Sequence, residues 1–226
     1  LLKTSDELRL LGLTLCVATL VAALNLKNLD ELLNVLVEAG CTRWVLVPLC
    51  RVGRQFDNRM QPPVKEMLAT IERLARRAAG IPGFQFVPLL PPALIPNYGV
   101  PERFRLGYVS PFPYQVAIAA NGNFALADAF LNHQDLILGN VLRNSFIETI
   151  KSSFSRQAET APWLVKKIEG VCSQCIYADI CAGGDRPLTF IVKGNVAHAD
   201  LLCQEAYNNG CFPADRLVNQ SGGVHG

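Results

Sequence analysis

The chain has 226 residues, 50% of them hydrophobic and 18% charged, with 21 Lys and Arg against 19 Asp and Glu. That is enough apolar material for a sizeable core, and it excludes disordered, collagen-like and coiled-coil classes. A net charge of +2 leaves no electrostatic footprint for nucleic acid or an anionic membrane surface, so neither is expected as a partner.

The chain opens Leu1-Leu2-Lys3, and no secretory signal pattern follows, so a cytoplasmic protein is expected. The uncharged run between Arg9 and Lys27 contains Thr14, Thr19 and Asn25 and is short for a membrane span. It reads as a strand over about 13–18, continuing toward Val21 and buried on both faces. A helix is expected over 28–40, with Asn28 as cap, Glu31 completing a capping box, and Leu29, Leu32, Leu33, Leu36 and Val37 forming one stripe. Gly40 ends it. Arg43 to Val47 is the next strand, stopped by Pro48, and strand, helix, strand implies a parallel pair with a right-handed crossover. A second helix over about 63–79 turns Met67, Leu68, Ile71, Leu74 and Ala78 inward and ends at Gly80, before a third strand over 84–87. Arg73, Arg76 and Arg77 make a basic, solvated face on it. The first hundred residues read as a piece of an α/β sheet or barrel with open edges.

Seven prolines between Pro88 and Pro113 mark a linker. Residues 115–120 and 123–126 flank Asn121-Gly122, the strongest short hairpin signal. Leu138-Gly139-Asn140-Val141 comes next, then helices over about 145–153 and 162–168. A second hairpin is expected where Phe190–Val192 and Val196–His198 flank Lys193-Gly194-Asn195. The tail from Ser221 is expected to be disordered.

The eight cysteines are unevenly spread. Cys16, Cys41 and Cys50 lie in or beside apolar strand-like runs and are expected to be buried, inert thiols. The rest cluster late, as Cys172-x2-Cys175-x5-Cys181, then 21 residues, then Cys203, with Cys211 beyond. Two close thiols, a third one loop away and a fourth returned by a hairpin can converge on one centre. Gly183-Gly184 lets the backbone turn sharply and approach the sulfurs. Spacing alone leaves zinc and an iron–sulfur cluster both open, although a zinc ribbon would more often show a second C-x2-C knuckle.

The stretch from Val171 to Arg186, with Cys203 downstream, resembles the SPASM domain of radical S-adenosylmethionine enzymes. That family's pattern is C-x9–15-G-x4-C, a gap, C-x2-C-x5-C-x3-C, a gap, then C. The resemblance implies that Cys172, Cys175, Cys181 and Cys203 hold one auxiliary [4Fe–4S] cluster. The family's other auxiliary site is lost here: Ala127 and Asp185 stand where cysteines would, and no Cys lies in the window upstream of Gly122. Asp185 is expected to be a loop carboxylate near Arg186, and Cys211 a spectator thiol. Ile118 to Gly122, Leu138 to Val141 and the helix from Ser145 resemble the family's "G…lGNi…s…ei" run. Asn25 and Arg51-Val52-Gly53-Arg54 resemble features at its barrel strand ends.

The resemblance implies the C-terminal part of a partial (β/α)6 radical-SAM-type barrel over 1–100, followed by a small α+β cysteine-rich SPASM-like domain over 101–220 and a tail over 221–226. It implies an enzyme that modifies a peptide, protein or cofactor precursor, served by an electron donor protein. The C-x3-C-x2-C motif that holds the reducing cluster is absent from this sequence. S-adenosylmethionine and a second [4Fe–4S] cluster are therefore expected only in a longer, full-length protein, with this chain inactive alone. The alternatives are a zinc-stapled, non-enzymatic binding module and a degenerate member that binds a precursor peptide without chemistry.

Overall fold

The computed structural model describes residues 2–49, 58–98, 100, 116–125, 127–149, 151, 168–195 and 197–218. Cys50, the run Arg51 to Arg54, most of the expected helix over 162–168 and the tail from Ser221 lie outside them. The chain divides into two compact units, Leu1–Tyr108 with Leu202–Gly226, and Val109–Leu201.

The first unit opens with a helix that the sequence reading did not anticipate, α1 (Leu2–Leu10). Strand β1 (Leu15–Val21), helix α2 (Leu29–Glu38), strand β2 (Cys41–Pro48), helix α3 (Val64–Ala79) and strand β3 (Gln85–Pro88) follow. The sheet is parallel throughout, in the order β1-β2-β3. The strand–helix–strand reading therefore holds for both crossovers.

The register decides which side chains share a face. Val17 pairs with Trp44 and Thr19 with Leu46, and Trp44 pairs in turn with Phe86. These residues form the helix-covered face, against the buried stripes Leu29, Leu33, Leu36 of α2 and Met67, Ile71, Leu74 of α3. Each such side chain contributes roughly 1.5–3 kcal/mol on burial. Trp44 and Phe86 meet edge to face with centroids 5.6 Å apart, and the Trp44 indole N–H donates to Thr19 Oγ1 at 2.9 Å. The opposite face carries Cys16, Ala18 and Leu20 of β1, all exposed, beside the half-buried Arg43, Val45 and Val47 of β2. This corrects two expectations: β1 is not buried on both faces, and Cys16 is exposed, while Cys41 is buried as expected. Strict period-two alternation places Cys16 on the face that α2 and α3 do not cover.

Asn28 stands at the N-cap of α2 but its side chain makes no capping bond, because a 3-10 turn over Leu26–Asn28 runs directly into the helix. The neighbouring Asn25 takes a polar task instead. Its Oδ1 accepts from the Ala22 N–H at 2.9 Å and its Nδ2 donates to the Leu20 carbonyl at 2.7 Å, which fixes the chain as it leaves β1. Gly40 closes the far end in the left-handed region, with φ of 70°. The arginines of α3 are paired rather than simply solvated. Asp30 accepts from Arg73 and Arg77 at 2.6 Å each, and Glu72 accepts from Arg76 and from the Tyr98 hydroxyl. The start of the proline-rich stretch is also core: Leu90, Ala93, Leu94 and Ile95 are buried.

In the second unit, β4 (Ala117–Ile118), β5 (Asn123–Ala125) and β6 (Gly139–Asn140) form an antiparallel sheet in that order. The Asn121-Gly122 turn is where the sequence puts it, with Gly122 at φ 85°. Asn140 explains the Gly-Asn run. Its Nδ2 donates to Asn121 O and Asn123 Oδ1 at 2.9 Å each, and its Oδ1 accepts from the Leu142 N–H at 3.0 Å. A β-carbon on Gly122 would stand 2.8 Å from that Oδ1, so the turn needs glycine twice over. Residues 146–149 are helical, and Phe146 packs edge to face on the buried Phe124.

Helix α4 (Ala178–Cys181) and helix α5 (Arg186–Lys193) complete this unit. The second is a correction. Phe190-Ile191-Val192 is not a hairpin strand but the end of α5. Asp185 caps its start by accepting from the Leu188 N–H at 2.9 Å, Pro187 sits in the first turn, and Gly194 closes it at φ 68°. Matched caps at both ends outweigh the β preference of three residues. Helix α6 (Leu201–Asn208) follows and belongs, from Leu202, to the first unit. No helix among the described residues is long and apolar enough to cross a membrane.

Candidate metal centre

Three of the four expected ligands lie in the second unit, and all three are buried. Cys172 sits in a 3-10 turn, Gly170–Gln174, and Cys175 directly follows it. The Cys175 N–H closes this turn on the Cys172 carbonyl at 3.4 Å, and the Tyr177 N–H points at Cys175 Sγ at the same distance. Cys181 is the last residue of α4. The three sulfurs lie near enough that ionising one disfavours ionising the others, and Cys172 also accepts from the Asp200 backbone N–H and Cys181 from that of Gly184. Burial pushes the Cys172 thiol up to about 11 and the Cys181 thiol up to about 12. The protons are thus held until something binds the sulfurs in their place.

Between Cys181 and Asp185 the backbone runs through three successive left-handed residues, Ala182, Gly183 and Gly184, at φ 49°, 84° and 74°. Only the first bears a side chain, which costs about 1–2 kcal/mol there. The glycine pair makes the expected sharp turn and brings the Gly184 N–H to Cys181, and it also lays bare backbone against two charged side chains. A β-carbon on Gly183 would stand 2.3 Å from Arg186 Nη1, and one on Gly184 would stand 2.2 Å from Asp200 Oδ2.

Those two side chains are what the sequence reading missed. Arg186 is 3% exposed and Asp200 5% exposed. Arg186 Nη1 donates to the carbonyls of Gly183 at 3.0 Å and His198 at 2.9 Å, whereas its Nε and Nη2 are buried without a hydrogen-bond partner. Asp200 Oδ2 accepts from the Asp185 N–H at 3.3 Å. The available signal was the family-like run ending in Asp185-Arg186: a charged pair beside buried cysteines needs a counterpart, and Asp200 lies three residues before Cys203.

Cys203 is buried in α6, in the other unit. Among the described residues, no three His, Cys, Asp or Glu side chains form a group able to hold a metal ion. Asp185 is occupied as a helix cap. Cys211 Sγ donates to the Ala206 carbonyl at 3.4 Å at the end of α6. His198 is half exposed, 3.6 Å from Glu169 Oε2. The donor set fits an iron–sulfur group on two counts: soft thiols held out of water, and a buried guanidinium with free N–H groups nearby to meet an anionic one.

No protein-family model and no curated protein matches the sequence. Solved structures do. SuiB of Streptococcus suis bound to S-adenosylmethionine superposes with a TM-score of 0.61 at 13% identity, over 90% of this chain and 48% of that one. SuiB alone gives 0.62 at 14% identity, over 90% and 49%. SuiB bound to its precursor peptide SuiA gives 0.61 at 16%, over 90% and 47%. The chain therefore shares the α/β fold of SuiB and spans about half the length of SuiB.

Proposed function

We propose that this chain does the work of the C-terminal half of a radical SAM enzyme that modifies a peptide, and that Cys172, Cys175, Cys181 and Cys203 hold one auxiliary [4Fe–4S] cluster. The observation that carries this reading is the set of three buried thiols in one unit, two of them, Cys172 and Cys181, near the Arg186 guanidinium, in a chain that shares the fold of SuiB, a protein solved with S-adenosylmethionine and with a precursor peptide.

When bound, the cluster supplies a one-electron relay beside the substrate. The rest is the work of this chain. The 3-10 turn and α4 hold three thiols in a dry setting, and Cys203 comes from α6. Among the described residues, the sheet face that carries Cys16, Ala18, Leu20, Arg43, Val45 and Val47 is not covered by α2 or α3, and it is the surface proposed for the reacting partners. Arg43 there is steadied by donating from Nε to Gln85 Oε1 at 3.0 Å. With four thiolates the irons have no open position, which favours electron transfer or ordering of the domain over direct substrate ligation. The motif that would hold the reducing cluster is not in this sequence, so the activity belongs to the chain together with that motif.

The test is anaerobic purification and reconstitution with iron and sulfide. A brown protein with broad absorbance near 400 nm and about four irons and four sulfides per chain supports the reading. Cys175→Ala is expected to lose the cluster, whereas Cys211→Ala and Asp185→Ala keep it. A colourless protein that takes up one zinc instead overturns it.

A further inference from the structure

A second residue of this centre follows from Arg186. Its guanidinium is fixed, because Nη1 is bonded to two backbone carbonyls, Gly183 and His198. The absence of a β-carbon at Gly183 makes room for it. Yet Nε and Nη2 are buried with no acceptor. A buried cation with unmet donors is costly, and natural cores rarely leave one so. The charges around it are Cys172, Cys181 and Asp200.

We infer that Arg186 is a positioning residue for the cluster: its free N–H groups donate to the cluster's sulfur atoms, and its positive charge offsets the anionic thiolate-bound core. This rests on the cluster reading above and deepens it. Four thiolates outweigh the charge of the iron–sulfur core, so the unit is anionic, and an added electron makes it more so. Hydrogen bonds to sulfur and a nearby cation favour the more negative state and therefore raise the reduction potential. Asp200, the neighbouring carboxylate, acts in the opposite sense. The planar, always charged fork suits this task as a lysine would not.

The experiment uses the full chain, reconstituted anaerobically, as wild type, Arg186→Gln, Arg186→Lys and Asp200→Asn. Iron and sulfide per chain, far-UV circular dichroism and the midpoint potential of the loaded fraction are measured, the last by titration with dithionite. Arg186→Gln is expected to fold, to load, and to make the cluster about tenfold harder to reduce, a shift of about 59 mV for one electron. Arg186→Lys is expected to recover part of that shift, and Asp200→Asn to move the potential upward. A merely structural arginine would lower the loaded fraction and leave its potential unchanged, and that result overturns the inference. If Arg186→Gln does not fold, Arg186→Lys decides, and a potential equal to the wild type's overturns the inference. If the wild type builds no cluster, the functional reading fails first and takes this inference with it, before any variant is compared.

Discussion

The carboxylate of Asp200 occupies the space that a β-carbon on Gly184 would need, 2.2 Å from its ideal position. The glycine and the acid are thus one feature: the chain turns through the left-handed region at φ 74° and a buried carboxylate lies against the bare backbone. Gly184→Ala is expected to destabilise the protein by about 3 kcal/mol, combining about 1–2 for the left-handed backbone with about 1–3 for overpacking. Urea unfolding measures it. Asp200→Ala removes the two nearest atoms, Oδ2 and Cγ, and leaves only its β-carbon at 2.8 Å, so a double-mutant cycle should return a coupling of at least about 1 kcal/mol. Additive losses would show that the two do not share this space.

The Asn140 corner makes a second prediction. Three hydrogen bonds leave its side chain, to Asn121 O, Asn123 Oδ1 and the Leu142 N–H. At about 1 kcal/mol each, and partly exposed, they stand for about 2 kcal/mol in Asn140→Ala. Asn140→Asp keeps an oxygen for Leu142 but sets a carboxylate oxygen against the two acceptors Asn121 O and Asn123 Oδ1, so it should cost at least as much as Asn140→Ala. Thermal melts of the two variants give the order directly.

What the sequence disclosed and what it hid have physical causes. The run of parallel strands joined by helices was legible because apolar stripes and glycine stops punctuate the first hundred residues at helix and strand periods. The Asn121-Gly122 turn was legible because its chemistry is local. Helix α5 was not, since Phe190-Ile191-Val192 favours a strand and only the caps at Asp185 and Gly194, a helix apart, reverse it. The exposure of Cys16 was hidden because an apolar run does not say which strand face a helix will cover. The cysteine spacing pointed to Cys172, Cys175, Cys181 and Cys203, of which the first three share one unit and the fourth lies in the other. It gave no hint of Arg186 and Asp200, whose roles depend on contacts across 12 or more residues of chain, such as that of Arg186 with the His198 carbonyl.

Thiol reactivity tests burial residue by residue. Cys16 is exposed, Cys211 is intermediate, and Cys41, Cys172 and Cys181 are buried with their thiols pushed up by burial. Only the thiolate reacts with iodoacetamide. At pH 8 a thiol near 11 is ionised in about one molecule in a thousand. In the unloaded native chain, Cys16 should be alkylated first, Cys211 more slowly, and Cys172 and Cys181 only on the timescale of local opening. Mass spectrometry of timed samples checks the order. Rapid labelling of Cys181 would contradict the structure of the α4 turn.

Acid should loosen the link between α2 and α3 before it reaches the core. The hydrogen bond from Arg73 holds the Asp30 carboxyl below its ordinary value, with Arg77 adding to the effect. A carboxylate with a lowered folded-state pKa contributes stability that is present above the unfolded value of about 4. That contribution is lost as pH falls through the lower folded value. Both arginines are more than a third exposed, so solvent screening limits the contribution to under about 1 kcal/mol. Asp30→Asn should therefore cost little at pH 7 and flatten the acid limb of stability below pH about 4. Urea unfolding of wild type and variant at pH 7, 4 and 3 gives the comparison. A difference that stays constant across the three, or grows toward low pH, would mean that Asp30 acts through its shape and not through its charge.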